Sequence, residues 1–249
     1  MRLDEGMFND ILERIRPRIT GIITNWRQPI EPGLKLAITL RFLATGDSYP
    51  SLALLFRVSR SKVGKCIKET CTAIVNEYMH EMIKLPTTQD GWKEIARGFA
   101  DRWNFDHVIG ALDGKHIRIQ APPRSGSYYF NYKGYFSIVL LALVDANYKF
   151  IYVSAGANGA TNDAQVFFYS NLYRAFSQNL LNLPHMESLP GEERRIPYFI
   201  VGNDAFGLKT WLMKPYPSRG RSREERIYNY LLSRARRVVE NAFGFLAQR

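Results

Sequence analysis

The spacing of hydrophobic positions separates a helical first third of the chain from a mixed remainder. Through residues 1–85 apolar residues recur every three or four positions, for example at Phe8, Ile11 and Ile15, as on one face of an amphipathic helix. The pattern then predicts a short helix, a turn near Val58 and a longer helix. We therefore predict an all-helical region over 1–85 with a helix-turn-helix-like pair. A plain helical hairpin packed on the core fits the same pattern equally well.

From residue 107 onward the period becomes that of strands. Runs rich in β-branched, aromatic and aliphatic residues predict strands over Val108–Leu112, Tyr135–Val144 and Phe150–Ser154. A turn signal at Asp145 joins the last two as a hairpin. The first three strands are therefore expected to follow one another as a meander.

Helices and one further strand complete the predicted order. The remaining elements are a helix over Thr87–Trp103 capped by Thr87, a helix over Val166–Phe176, a buried strand over Pro197–Gly202, and a final helix opened by the capping box of Ser222 and Glu225. Three strands, a helical crossover and a fourth strand parallel to the first describe a ribonuclease-H-like sheet. We predict an α/β fold over 86–249: a ribonuclease-H-like mixed sheet flanked by helices.

Three acids fall where such a sheet brings them to one edge. Asp113 ends the first predicted strand, Asp204 follows the fourth, and Glu240 lies in the last helix. Side chains at the carboxyl ends of strands and on one helix face converge in α/β sheets. Carboxylates bind Mg²⁺ or Mn²⁺, and two such ions activate a water and stabilise the leaving oxygen in phosphodiester cleavage. The predicted cofactor is thus a pair of Mg²⁺ or Mn²⁺ ions held by Asp113, Asp204 and Glu240.

Each of these residue types also has an ordinary interpretation. Asp113 before a glycine is typical of a hairpin turn, and Glu240 could form a surface ion pair with an arginine one turn earlier. For Asp163 the helix N-cap is the preferred interpretation. For His116 we prefer packing or support of the site over a role in orienting a metal-bound water.

The excess of basic residues indicates which kinds of partner the protein could bind. The 249 residues hold 34 Lys and Arg against 23 Asp and Glu, a formal charge of +11 with a pI near 9.7, which favours nucleic acid or an anionic surface as partner. No apolar run approaches the length of about 20 residues that crosses a membrane. Double-stranded DNA is therefore the predicted partner, and no association with a membrane is predicted.

Basic residues in three stretches are candidate DNA contacts. They are Arg60, Lys62 and Lys65 in the second helix of the predicted pair, Lys115, Arg124 and Lys133 near the second strand, and Arg221 and Arg223 before the last helix. Between Arg124 and Lys133 the basic residues alternate with Tyr128, Tyr129, Phe130 and Tyr132. That interleaving suits stacking on splayed bases, and aromatic residues are equally normal in strands and hairpins.

Four motifs resemble the PIF/Harbinger transposases and the domesticated Harbinger transposase-derived nucleases. They are Gly110–Pro122, Asn131–Gly134, Asn162–Phe167 and Leu232–Gly244. The resemblance implies a DDE core that uses divalent metal to cut and join DNA, with Asp113 as first and Glu240 as third acid. It also implies a separate Myb-like DNA-binding partner and further residues beyond Arg249. Nuclear localisation, with the cytoplasm as a second location, is expected for such a protein, and self-association is left open.

The second acid departs from the family pattern. In the family this acid directly follows a glycine, and here the aligned stretch is Gly202-Asn203-Asp204-Ala205-Phe206. Asn203 is neutral and carries a donor nitrogen, so it cannot bridge two ions as a carboxylate does. Asp204 could replace it only if the strand end shifted by one residue, because adjacent side chains point to opposite faces.

Two hypotheses follow for function. The first is a metal-dependent DNA nuclease or transposase, impaired at Asn203, with Asp113, Asn203, Asp204 and Glu240 as its catalytic residues. The alternative is a catalytically inactive DNA-binding or partner-binding protein that keeps the fold.

Overall fold

The chain folds as two units, Met1–Met82 and Ile83–Arg249, each with its own hydrophobic clusters. A computed structural model describes residues 3–22, 28–217 and 219–248. None of the helices in these ranges combines the length and apolar character needed to cross a membrane.

The regular elements of the described part of the first unit are all helices, as predicted. Its helices are α1 (Glu5–Ile19), α2 (Pro32–Thr45), α3 (Tyr49–Leu55) and α4 (Arg60–Met82). The short helix α3, a turn and the long helix α4 reproduce the predicted pair, and the use of this pair on DNA stays a prediction. The other three helices pack on α4. Lys35 is buried among them, and its ammonium donates to the Ile19 carbonyl at 2.8 Å and to Glu69 at 3.0 Å.

The second unit alternates strands and helices around one main sheet. Its elements are α5 (Gln89–Trp103), β1 (Val108–Arg118), β2 (Ser137–Val144), β3 (Phe150–Asn158), α6 (Asp163–Phe168), α7 (Asn171–Ser177), β4 (Glu187–Ser188), β5 (Arg195–Ile196), β6 (Phe199–Val201), β7 (Leu212–Met213) and α8 (Arg223–Ala247). In space the sheet runs β3-β2-β1-β6-β7, and β4 pairs with β5 separately. Strands β1, β2 and β3 are antiparallel neighbours, whereas β6 lies parallel to β1. The mixed sheet of the predicted ribonuclease-H-like fold is confirmed.

The sheet is covered on both faces, which explains its nearly continuous apolar strands. One face carries Leu112 and Leu141 against α6 and α7, and the other carries Ala111 and Ala142 against α8. Counted from Val108, which lies with the α8 cluster, strict alternation would place Ala111 on the opposite face. The pairing of β1 with β6 shifts register between Val108 and Ala111. This irregularity turns Ala111, and with it Asp113, toward α8.

Several predicted boundaries are wrong. The first strand does not end before Asp113, because β2 pairs with it from Ala111 to Arg118, so the Asp-Gly step is not a hairpin turn. The predicted helix over Val166–Phe176 is two short helices, since the Ser170 hydroxyl accepts from the Tyr173 amide and starts α7 anew. The cap of α5 is Thr88 rather than Thr87.

The predicted capping box of α8 is present. The Ser222 hydroxyl accepts from the Glu225 amide at 3.2 Å, and the Glu225 carboxylate accepts from the Ser222 amide at 2.9 Å. Two of the amide groups at the start of the helix are thereby satisfied. The box fixes where the helix that carries Glu240 begins.

Removal of the Ser222 cap should lower the stability of the protein by a measurable amount. We expect Ser222→Ala to lower the free energy of unfolding by about 1 kcal/mol, because an N-cap hydroxyl is lost. Urea denaturation followed by circular dichroism measures it. Ser233→Ala, an exposed position within the same helix, serves as control and should not destabilise the protein. Equal losses for both variants would contradict the role of the box.

Candidate active site

Asp113 carries a largely buried carboxylate in the middle of the central strand. It pairs with Ala142 across β2, and its side chain faces α8. Burial raises the pKa of Asp113 to about 6, and the nearby Arg236 guanidinium and the Gly114 amide only partly offset that effect. The carboxylate therefore lies in surroundings where its charge is costly and needs a positive or hydrogen-bonding neighbour.

Asn203 supplies one such neighbour. It follows β6, the parallel neighbour of β1, and its amide nitrogen donates to Asp113 Oδ1 at 2.9 Å. Its own Oδ1 accepts from the Ala205 amide at 2.9 Å. The reverse orientation of the side-chain amide would set oxygen against oxygen and N–H against N–H. The donor end of Asn203 is thus held toward the carboxylate.

Asp204 points away from this pair. Its side chain is 80% exposed, against 15% for Asp113, and its Oδ1 lies 3.3 Å from the Lys214 ammonium. The same ammonium donates to the Asp204 carbonyl at 3.3 Å. The structure therefore brings Asn203 to Asp113 and does not bring Asp204 there.

Glu240 reaches the site from α8 through an arginine. Arg236 Nη2 lies 3.8 Å from Asp113 Oδ2 and 3.3 Å from Glu240 Oε1, one turn along the helix. Glu240 raises the pKa of Asp113 as a nearby like charge. Arg236 Nε is buried without a hydrogen-bond partner in the described residues. Arginine thus stands between the first and third acids as their counter-ion.

The prediction that Asp163 caps its helix is wrong. Asn162 does so, accepting from the Gln165 amide at 2.8 Å. Asp163 is the first residue of α6, and its carboxylate lies so close to Gly114 that a Cβ there would overlap it. Its Oδ1 is buried without a partner in the described part of the chain, and burial raises the pKa of this carboxyl.

A chain of polar side chains lies on the same face as Asp163. The Asn131 amide donates to Ser137 Oγ at 2.9 Å, and Ser137 Oγ lies 2.9 Å from His116 Nδ1. A hydroxyl that donates to Nδ1 leaves the proton of a neutral imidazole on Nε2. Burial lowers the pKa of His116, whereas the Asp163 carboxylate raises it. His116 thus lies in the electrostatic range of Asp163, on the opposite face of β1 from Asp113.

Sequence reasoning missed Asp163 and Ser137 as members of the site. The only sequence signal was the motif that contains Asp163, whose obvious interpretation was capping. Nothing in the sequence pointed to Ser137, which depends on the register of β1 and β2.

The predicted DNA-contacting residues belong to both units. On the second unit Lys115 Nζ lies 5.7 Å from the Phe243 ring and Lys133 Nζ 5.4 Å from the Tyr132 ring, while Arg124 and Arg223 are exposed. Arg221 precedes the α8 cap. On the first unit Arg60 and Lys65 are exposed and Lys62 is half-buried in the first turns of α4. Their use on DNA stays a prediction.

Comparison with known proteins identifies the family of this fold and site. The profile of the family described as "DDE superfamily endonuclease" matches residues 112–249, which include Asp113, Asn203 and Glu240. The chain belongs to the DDE superfamily endonucleases. Members of this superfamily generally use divalent metal ions.

Relatives of this DDE-family chain carry names of the Harbinger type. It is 27% identical over 89% of its length to "Protein ALP1-like" of Arabidopsis thaliana. It is 25% identical over 91% of its length to "Putative nuclease HARBI1" of Bos taurus. The chain spans 54% and 60% of the lengths of these relatives. They support the Harbinger transposase-derived branch that the four motifs indicated, and no solved structure matches the chain.

The side chains of this DDE-family site do not fit a two-metal centre. No group of three or more His, Cys, Asp and Glu side chains in the described ranges could hold a metal ion. One oxygen of Asp113 accepts an amide N–H from Asn203, and the other faces the Arg236 guanidinium. Asp204, which was predicted to bind metal with Asp113, lies beside Lys214 instead. A metal ion needs oxygen lone pairs directed at it, and Asn203 directs a hydrogen there instead.

The proximity of Asp163 to His116 predicts a change in the titration of the imidazole. We expect Asp163→Asn to lower the pKa of His116, because the carboxylate that favours its charged form is removed. The His116 ring proton shift, followed by NMR against pH, gives this pKa. Asp204→Asn removes an exposed acid and should leave it unchanged. An unaltered His116 titration in Asp163→Asn would contradict the coupling.

The buried Asp113 predicts a pH-dependent stability. Since its pKa rises from 3.8 to about 6 on folding, the folded protein binds more protons between these values than the unfolded chain does. Its charge therefore destabilises the folded state at neutral pH, and the penalty disappears as pH falls through 6 toward 4.

We expect the stability of the unmodified protein relative to Asp113→Asn to rise by on the order of 2 kcal/mol between pH 8 and pH 4. Urea unfolding of both proteins in the presence of EDTA measures it. A difference that is constant with pH would contradict the buried-charge assignment.

Proposed function

We propose that this chain is a DNA-binding protein derived from a Harbinger-type DDE endonuclease, whose phosphodiester-cleaving centre is silent because Asn203 stands in place of the second acid. The hydrogen bond from the Asn203 amide to Asp113 carries the proposal. It occupies the oxygen that a metal ion would need.

The competing hypothesis is cleavage supported by Asp204. It requires this side chain to leave Lys214 and turn to the Asp113 face. That movement would exchange an exposed ion pair for a second carboxylate beside an acid whose charge is already disfavoured. Without a metal ion such a pair of like charges is repulsive. The observed geometry therefore favours the silent centre.

DNA as the partner is supported by the family and by charge. The formal charge is +11, and an endonuclease scaffold binds the phosphate backbone before it reacts with it. Loss of one acid removes chemistry without removing positive charge. Affinity for duplex DNA should therefore persist and fall steeply with salt, because phosphate contacts release counterions. A Myb-like partner that selects the sequence, and nuclear localisation, belong to this proposal.

Restoration of the second acid is the decisive experiment. We expect Asn203→Asp to gain Mn²⁺- or Mg²⁺-dependent cleavage of a labelled duplex, with Asp113, the new carboxylate and Glu240 as metal donors, while the unmodified chain stays inactive. Addition of Glu240→Gln to Asn203→Asp should abolish the gain. Addition of Asp204→Asn should leave it, since Asp204 faces Lys214.

Two outcomes would overturn parts of the proposal. Cleavage by the unmodified chain that disappears in Asp204→Asn would establish the competing hypothesis. Weak duplex binding at low salt that does not respond to added salt would remove DNA as the partner.

A further inference from the structure

A pocket of about 460 Å³ lies beside the β3 end of the sheet, apart from Asp113 and Asn203. It is bounded by the end of β3, by α6 and by the loop after β1. Three tyrosines line it, Tyr128 and Tyr129 from the loop and Tyr169 at the end of α6. This cluster of flat rings is the feature that distinguishes the pocket.

The polar groups in this pocket are neutral. Asn158, Thr161 and Gln165 contribute amides and a hydroxyl, and no charged side chain is among the described lining residues. Thr161 Oγ1 donates to Asn158 Oδ1 at 2.7 Å, which leaves the Asn158 amide nitrogen as a donor. Two carboxamides among aromatic rings suit an uncharged planar ring with donors and acceptors on its edge.

Two of the three pocket tyrosines are largely exposed to solvent. Tyr169 is 76% and Tyr128 60% exposed. The Tyr128 and Tyr129 rings meet edge to face at 5.2 Å, and the Tyr169 ring meets the Phe168 ring edge to face at 5.3 Å. Because Tyr128 and Tyr169 stay largely exposed beside these neighbours, both still offer ring surface to a third ring. Large rings at a surface are typical of sites that stack on a ligand.

Positive charge is present in the loop that carries two of the pocket tyrosines. Arg124 and Lys133 are exposed in the same loop as Tyr128. Lys133 acts electrostatically on Asp163, the first residue of the helix that ends beside Tyr169. A neutral aromatic pocket and cations in the loop that lines it match the two parts of a nucleotide, a neutral base and an anionic phosphate.

We propose that this pocket receives one unpaired DNA base, stacked on Tyr169 and Tyr128, with Asn158 and Gln165 on the edge of the base and Arg124 and Lys133 on neighbouring phosphates. The inference rests on the proposed DNA-binding function and extends it from paired duplex to distorted DNA. Paired bases cannot enter, since their edges and faces are already engaged. The protein should therefore prefer a duplex with an extra unpaired base over a fully paired one.

The test compares two short duplexes of the same sequence, one fully paired and one with a single bulged 2-aminopurine. Fluorescence anisotropy gives both affinities, and quenching of 2-aminopurine reports stacking. We expect Tyr169→Ala and Tyr128→Ala each to weaken binding of the bulged duplex roughly ten-fold, as loss of a base–aromatic stack does, and to leave the paired duplex unchanged. Tyr169→Phe keeps the ring and should keep the preference. Tyr230→Ala, at a tyrosine on α8 that is also 60% exposed, is the matched control.

The outcomes separate the two proposals. Unchanged affinity of the alanine variants for the bulged duplex, or an equal loss for both duplexes, overturns the base pocket while DNA binding stands. Failure of the unmodified protein to bind either duplex overturns the proposed DNA-binding function itself. Quenching that survives both alanine substitutions places the base elsewhere and also overturns the pocket.

Discussion

The burial of one carboxylate, Asp113, within the central strand is the constraint on which the rest of the site depends. A charge in such surroundings needs partners, and the structure supplies an amide donor from Asn203 and a guanidinium from Arg236. These partners come from β6 and α8, which the parallel pairing and the helix packing bring beside β1. The folded sheet thus creates both the cost of the charge and the groups that offset it.

The two faces of the central strand β1 carry different acidic groups. Asp113 faces α8 with Glu240, whereas Gly114 and His116 face α6, where Gly114 leaves room for the Asp163 carboxylate. The Asp163 carboxylate therefore lies against Gly114, the residue that follows Asp113 in the same strand. Burial is the main cause of the raised pKa of both Asp113 and Asp163, and the Asp163 carboxylate adds to the shift of Asp113. The strand couples the two faces electrostatically.

Cleavage and binding depend on different features in this family. Cleavage needs carboxylate oxygens directed at a common point, which one amide in place of an acid disrupts. The proposed binding would use positive charge and exposed rings, which are spread over loops and helices and do not depend on residue 203. Loss of one carboxylate is therefore compatible with the observed fold and with the proposed affinity for DNA.

Much of the architecture follows from the sequence because it is locally encoded. The Ser222–Glu225 box, the Asp145 turn and the strand periods depend on residues a few positions apart, and the family motifs already identified Asp113 and Glu240 and the substitution at Asn203. The ends of β1 and the break between α6 and α7 were not predictable, since pairing with β2 and the cap at Ser170 decide them.

Side-chain direction was decided by tertiary structure alone. The irregularity between Val108 and Ala111 determines which face Asp113 occupies, and the turn after β6 sends Asn203 inward and Asp204 to Lys214. The sequence by itself pointed to Asp113 and Glu240 and to an amide at the second-acid position, but not to Asp163 or Ser137. Only the folded sheet decided that Asn203 rather than Asp204 faces Asp113. The physical reason is that the face on which a strand residue lies depends on pairing with segments distant in the chain.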